Sequence, residues 1–224
     1  MTAGEAATAG LRYGGARAAI NVRGAALALT LVLAASPAGA AGPRVVVLGD
    51  SLSSGYGVAA EEAFPARLAA HLAAAGIAAQ VLNAGVAGDT TAGGLARLDW
   101  VLEDAPDHAI VELGGNDALR GVDPAATEAN LALIIERLHG AGVRVMLAGM
   151  LAPPNMGAEY AAAFAAVYPR LAARYQVPLY PFFLDGVAAR PELTQADGLH
   201  PTADGLDQIA RRMLPAVQAW LDGG

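Results

Sequence analysis

Arg44-Val45-Val46-Val47-Leu48-Gly49-Asp50-Ser51-Leu52-Ser53 is the stretch on which the fold turns. Four consecutive apolar residues, three of them β-branched, read as a strand buried on both faces, and Gly49 ends it. The residues after Gly49 are mostly polar and turn-forming. The same grammar recurs downstream. Ala79 to Asn83 reads as a second short strand, His108 to Leu113 as a third, Val143 to Gly149 as a fourth and Val177 to Tyr180 as a fifth. Helical patterns lie between them. Glu62 to Ala75 is stopped by Gly76, and Ala92 to Glu103 comes after the second strand. Asp123-Pro124 opens a helix with proline at its first position, running to about His139. Gly157 to Tyr175 carries Pro169 as a kink or break, and His200-Pro201 opens a last helix to about Leu221.

Strands alternating with helices predict an α/β fold with three layers, αβα: a flavodoxin-like, five-stranded parallel sheet with helices on both faces. Crossovers are expected to be right-handed. Ligands of such sheets bind beyond the carboxyl ends of the strands. The polar, glycine-rich segments of this chain come directly after its strands, so the chemistry is expected at that edge.

Composition narrows the chemistry. The 224 residues include 55 alanines but no cysteine and no lysine, so all 14 basic residues are arginine. A Walker phosphate loop, a pyridoxal Schiff base and a Ser-Lys dyad each need the missing amine. A disulfide framework, a thiol nucleophile and cysteine-ligated zinc need the missing thiol. The net charge of −7 and the isoelectric point near 5.0 argue against nucleic acid, which wants a basic face.

The N-terminus reads as a targeting segment. Arg17 and Arg23 precede an apolar run from Ala25 to Ala35, and Ser36-Pro37-Ala38-Gly39-Ala40-Ala41 supplies the small residues of a cleavage site. The run is shorter than the ~20 residues that span a bilayer. A secretory signal peptide over 1–40 is expected, removed near Ala40 to leave one domain over 41–224 in the periplasm or outside the cell. An uncleaved anchor is the other reading. The leader carries three arginines and one glutamate, so its removal takes the net charge to −9. The mean hydropathy of +0.40 is inflated by alanine and by this segment.

Four segments carry chemistry. Gly49-Asp50-Ser51-Leu52-Ser53 places a hydroxyl at a strand-to-helix turn, where a serine also serves as a helix cap. Asn83-Ala84-Gly85-Val86-Ala87-Gly88-Asp89-Thr90 offers unobstructed glycine N–H groups, or a plain turn with Asp89 as a cap. Gly114-Gly115-Asn116-Asp117 offers a neutral amide donor, or an Asx-turn. Asp197-Gly198-Leu199-His200-Pro201 spaces a carboxylate three residues from an imidazole, so that Asp197 can hold one ring nitrogen while the other takes a serine proton. Capping of the last helix by Asp197 is the alternative. His71, His108 and His139 are rival bases, but they sit in helical patterns or open a strand, where solvated or structural roles fit better.

Taken together these blocks resemble the SGNH (GDSL) hydrolase family, in wording and in order, over about Arg44 to Leu221. Leu95-Ala96-Arg97-Leu98, Tyr168-Pro169 and Val177-Pro178-Leu179-Tyr180-Pro181-Phe182-Phe183 look like connecting segments of its thioesterase, lysophospholipase and arylesterase subgroup. The resemblance implies Ser51 as nucleophile, His200 as general base and then acid, and Asp197 as its orienting carboxylate. It implies an oxyanion hole of the Ser51 and Gly88 backbone N–H groups and the Asn116 amide. It implies no metal and no cofactor. Leu52, Leu119, Pro153 and Pro154 are expected to border an acyl pocket, because 118–122 and 150–157 are apolar strand-end loops. The expected partner is a small-molecule ester or thioester, including lysophospholipids, with transient lipid contact, and the protein is expected to be a monomer. A carbohydrate O-acetyl esterase and a non-catalytic protein with a relic site remain the alternatives.

Overall fold

A computed structural model describes residues 42–223. The leader expected over 1–40 lies outside the described residues. Five strands form one sheet: β1 (Arg44–Gly49), β2 (Gln80–Gly85), β3 (His108–Glu112), β4 (Arg144–Ala148) and β5 (Leu179–Tyr180). All pairings are parallel, and the order is β2-β1-β3-β4-β5. The α/β fold and the five-stranded parallel sheet are those expected from the sequence.

The order has a physical consequence. The chain leaves β1 towards β2, then crosses back over β1 to β3 and continues in the opposite direction. Right-handed crossovers therefore put α2 (Phe64–Ala74) on one face and the later crossover helices on the other. On the first face α2 packs against α9 (Ala203–Asp222), with His71 of α2 bonded to Asp207 of α9 at 2.9 Å. On the second face α6 (Pro124–Gly140) packs between α3 (Thr91–Ala96) and α8 (Val167–Tyr175). The core is the sheet itself: Val45, Val46, Val47, Leu48, Ile110, Val111 and Leu147 are fully buried. The reversal between β1 and β3 opens a crevice at the strand ends, the switch point where doubly wound sheets bind ligands.

Several elements differ from their expected bounds. The helix expected over 92–103 is two helices, α3 and α4 (Leu98–Glu103), hinged at Arg97. Arg97 is drawn inwards: its Nε donates to Asp89 Oδ2 at 2.6 Å and its Nη2 to the Gly49 carbonyl at 3.0 Å. The helix expected over 157–175 is α7 (Ala158–Ala165) and α8, broken at Ala166. Pro169 lies in the first turn of α8, where its missing N–H leaves no helical bond unmade. The last helix opens at Ala203, not at His200-Pro201. Thr202 caps it by accepting from Gly205 N. Two short helices at strand ends escaped the sequence patterns, α1 (Ser51–Ser54) and α5 (Gly115–Leu119). Among the described residues no helix is long and apolar enough to cross a membrane.

Candidate active site

The sheet register sets the site. Gly49 of β1 lies level with Gly85 of β2 and Glu112 of β3, so the loops after three strands start from one line. Gly49 has no room for a side chain: a Cβ there would stand 2.1 Å from Ser53 Oγ and 2.5 Å from Glu112 Oε2. The chain turns at Asp50, whose Oδ1 accepts from Leu52 N at 2.9 Å and so caps α1. Ser51 is thereby held at the first position of a one-turn helix, at the carboxyl edge of the sheet.

Opposite it, the segment between β5 and α9 brings in the imidazole. His200 Nε2 is 2.9 Å from Ser51 Oγ, and His200 Nδ1 is 2.6 Å from Asp197 Oδ2. Asp197 Oδ1 also accepts from the Leu199 and His200 N–H groups. The hydrogen bond from the His200 ring, helped by these two, holds the Asp197 carboxyl down at about 2. Asp197 is thus a fixed anion beside Nδ1, and the helix-capping alternative does not hold. A hydroxyl, an imidazole and a carboxylate in this sequence can pass a proton from oxygen to Nε2 while the carboxylate stabilises the ring's charge.

The second loop carries Gly88, with φ +82, a conformation that side-chain-bearing residues rarely adopt. Its carbonyl accepts from Arg120 Nη2 at 2.9 Å, and neither its N–H nor that of Ser51 has an acceptor among the described residues. Asp89, read as a cap, instead pairs with Arg97, and Thr90 caps α3. The third loop is the start of α5 rather than an Asx-turn. Asn116 Nδ2 donates to Asp50 Oδ2 at 3.0 Å, which occupies one of its two N–H bonds and leaves the other for a ligand. Asp117 turns inwards and accepts from the Thr91 N–H, the Thr91 hydroxyl and Thr127, locking α5 to α3 and α6.

A cleft of about 620 Å³ opens over these groups. Ser51, Gly88, Asn116 and His200 line it, as do Leu52, Leu119, Pro153 and Pro154. Leu151 of the 150–157 loop and Leu199 of the last segment line it too, and so do Leu184 and Val187, which the sequence patterns did not pick out. The three other histidines lie elsewhere. His71 pairs with Asp207, His108 is buried edge-on against Trp220, and His139 stacks edge-on with Tyr175.

Behind Ser51 lie two acidic groups to which the motifs assign no role. Asp50 is 1% exposed and Glu112 fully buried. Burial pushes the Asp50 carboxyl up to about 6, against the pull of its bonds from Leu52 and Asn116. Burial, and then the neighbouring Asp50 charge, push Glu112 well above the usual carboxylate range. Glu112 Oε2 accepts from Asp50 N at 3.3 Å, and Oε1 has no partner among the described residues. A sequence signal for Glu112 does exist: it is a lone charge in the apolar run Ile110-Val111-Glu112-Leu113.

Known proteins share this arrangement of strands and loops. Residues 47–207 match the model of the GDSL-like Lipase/Acylhydrolase family. The chain is 40% identical over 183 residues to Esterase TesA of Pseudomonas aeruginosa, covering 81% of this chain and 91% of that one. It is 41% identical over 183 residues to Thioesterase 1/protease 1/lysophospholipase L1 of Escherichia coli K12, covering 80% and 86%. Among solved structures it superposes on the psychrotrophic esterase EstA of Pseudoalteromonas sp., in a form inhibited by monoethylphosphonate. There the TM-score is 0.77 and the identity 31%, over 80% of this chain and 99% of that one.

Proposed function

The chain belongs to the GDSL-like lipase/acylhydrolase family, whose relatives at this identity are esterases, and from that premise we propose how its own residues hydrolyse an ester. Ser51 is the nucleophile. Its Oγ attacks the carbonyl carbon as its proton passes to His200 Nε2, and the carbonyl π pair moves to oxygen. The Ser51 N–H, the Gly88 N–H and Asn116 Nδ2 donate to that oxyanion. Asp197 holds His200 in the right tautomer and stabilises the imidazolium. Collapse breaks the bond to the leaving oxygen or sulfur, which takes the proton from Nε2. Water, deprotonated by the same imidazole, then releases the acid from Ser51.

The observation that carries this reading is the unbroken run Asp197 Oδ2, His200 Nδ1, His200 Nε2 and Ser51 Oγ at 2.6 and 2.9 Å. The cleft beside it supports an acyl or aryl substrate over an acetylated sugar, because leucine and proline side chains form its walls and offer a sugar few hydrogen bonds. Thioesters and lysophospholipids fit the same site chemistry. The monomer, the transient lipid contact and export behind a leader ending near Ala40 belong to this proposal. The last rests on the arginines and the apolar run before it.

The test is Ser51→Ala beside the unaltered protein, with p-nitrophenyl esters and a fluorophosphonate probe. The variant is expected to lose turnover, and mass spectrometry of the unaltered protein to find the probe on Ser51. Normal esterase activity in Ser51→Ala, or labelling elsewhere, would overturn the assignment.

A further inference from the structure

Tyr56 belongs to none of the four chemical segments, yet its ring lies against the imidazole. The two ring centroids are 4.5 Å apart and the planes are inclined by 37°. Tyr56 is 53% exposed and lines the cleft. Its hydroxyl has no hydrogen-bond partner among the described residues, so within the fold the contact with His200 is made by the ring.

The placement is built, because Gln195 ties the two loops together. Its Nε2 donates to the Tyr56 carbonyl at 2.8 Å and to the Pro201 carbonyl at 2.9 Å, and its N–H donates to the His200 carbonyl at 2.7 Å. Gly57, next to Tyr56, packs directly on the Gln195 amide. Tyr56 N also reaches back to the Ser51 carbonyl at 3.4 Å. The backbones that carry the aromatic ring, the base and the nucleophile are therefore tied together by one set of hydrogen bonds.

We propose that Tyr56 is a positioning residue for His200: its ring keeps the imidazole between Ser51 and Asp197, and its face stabilises the imidazolium formed when Ser51 loses its proton. An aromatic face attracts a cation through its quadrupole. The other groups that bear on this ring are Asp197 at Nδ1, Ser51 at Nε2 and the nearby Asp50 charge. The inference rests on the roles given to Ser51 and His200 above.

The experiment compares Tyr56→Leu, Tyr56→Phe and the unaltered protein on p-nitrophenyl acetate, whose short acyl group uses little of the cleft wall. Competent sites are counted with the fluorophosphonate probe, so that misfolded material does not count. Tyr56→Leu is expected to lower kcat/KM about 2–5-fold, equivalent to ~0.5–1 kcal/mol. It should also move the acid limb of the pH profile to lower pH by about 0.4–0.7 of a unit, the same energy seen through protonation. Tyr56→Phe, which keeps the ring, recovers most of both effects. An acid limb that stays put in Tyr56→Leu overturns the inference, as does Tyr56→Phe behaving like Tyr56→Leu. Ser51→Ala run alongside keeps the two questions apart: if it stays active the nucleophile assignment fails, whatever Tyr56 does.

Discussion

Asp50 uses one carboxylate for two tasks, and Asp50→Ser separates them. Oδ1 caps α1 through Leu52 N, while Oδ2 holds the Asn116 amide at 3.0 Å. Serine is about as good an N-cap as aspartate, so the helix start survives. Its hydroxyl is too short to reach Asn116, which then keeps its donor but loses its anchor. Re-ordering a freed side chain in each transition state costs about 0.5–1.5 kcal/mol. That predicts a fall of about 2–12-fold in kcat. Removing the donor outright, in Asn116→Ala, should cost ~100–1000-fold. The assay is kcat on p-nitrophenyl butyrate for four proteins: unaltered, each single variant and the double. In the Asn116→Ala background Asp50→Ser should change kcat by less than about twofold, because nothing remains to be held. An equal loss in both backgrounds would refute the reasoning, and would mean that Asp50 acts through α1 and Ser51, or through its charge on His200, instead.

The same geometry predicts two further outcomes. Glu112 holds its proton to higher pH in the folded protein than in the unfolded chain, because burial raises its acid group. The unaltered protein therefore loses stability as pH rises above the ordinary glutamate range and until the buried group ionises. Glu112→Gln cannot ionise, so thermal melts should show its Tm gaining on the unaltered protein between pH 5 and pH 8, and a gap that is constant with pH would disprove it. Leu119 lines the cleft but is 50% exposed, so an acyl chain laid against it should cover about half of a leucine. That is worth ~1 kcal/mol, about fivefold in kcat/KM. Leu119→Ala should cost this on octanoyl esters and under about twofold on acetate, and equal losses on the two would remove Leu119 from the acyl wall.

The sheet was legible in the sequence because its signal is local. Val45 to Leu48 and Ala109 to Val111 are apolar without interruption, as strands buried on both faces must be, and glycines mark their ends. The breaks in the helices were not local. Arg97 interrupts 92–103 because it is pulled towards Asp89 and the Gly49 carbonyl, and the latter becomes a neighbour only once β1 is in place. The four chemical segments could be read because each residue type sits in a short motif beside a turn. The supports behind them could not. Glu112 lies under Asp50 only because β3 pairs with β1 at Gly49, and Tyr56 meets His200 only after α9 has brought the last loop across. Contacts between segments far apart in sequence leave no periodic trace.

The order in which the parts leave the ribosome gives the stretch between β5 and α9 another meaning. Ser51 and the loops after β2 and β3 come early, whereas Asp197 and His200 come last, on a segment fixed by the Thr194–Pro201 bridge and by α9 docked on α2. A half-made chain, or one clipped ahead of Asp197, keeps the hydroxyl but lacks the imidazole and the carboxylate that face it. On the roles proposed above, turnover therefore requires a chain made at least through His200, and a cut ahead of Asp197 that releases the rest would stop it without touching Ser51.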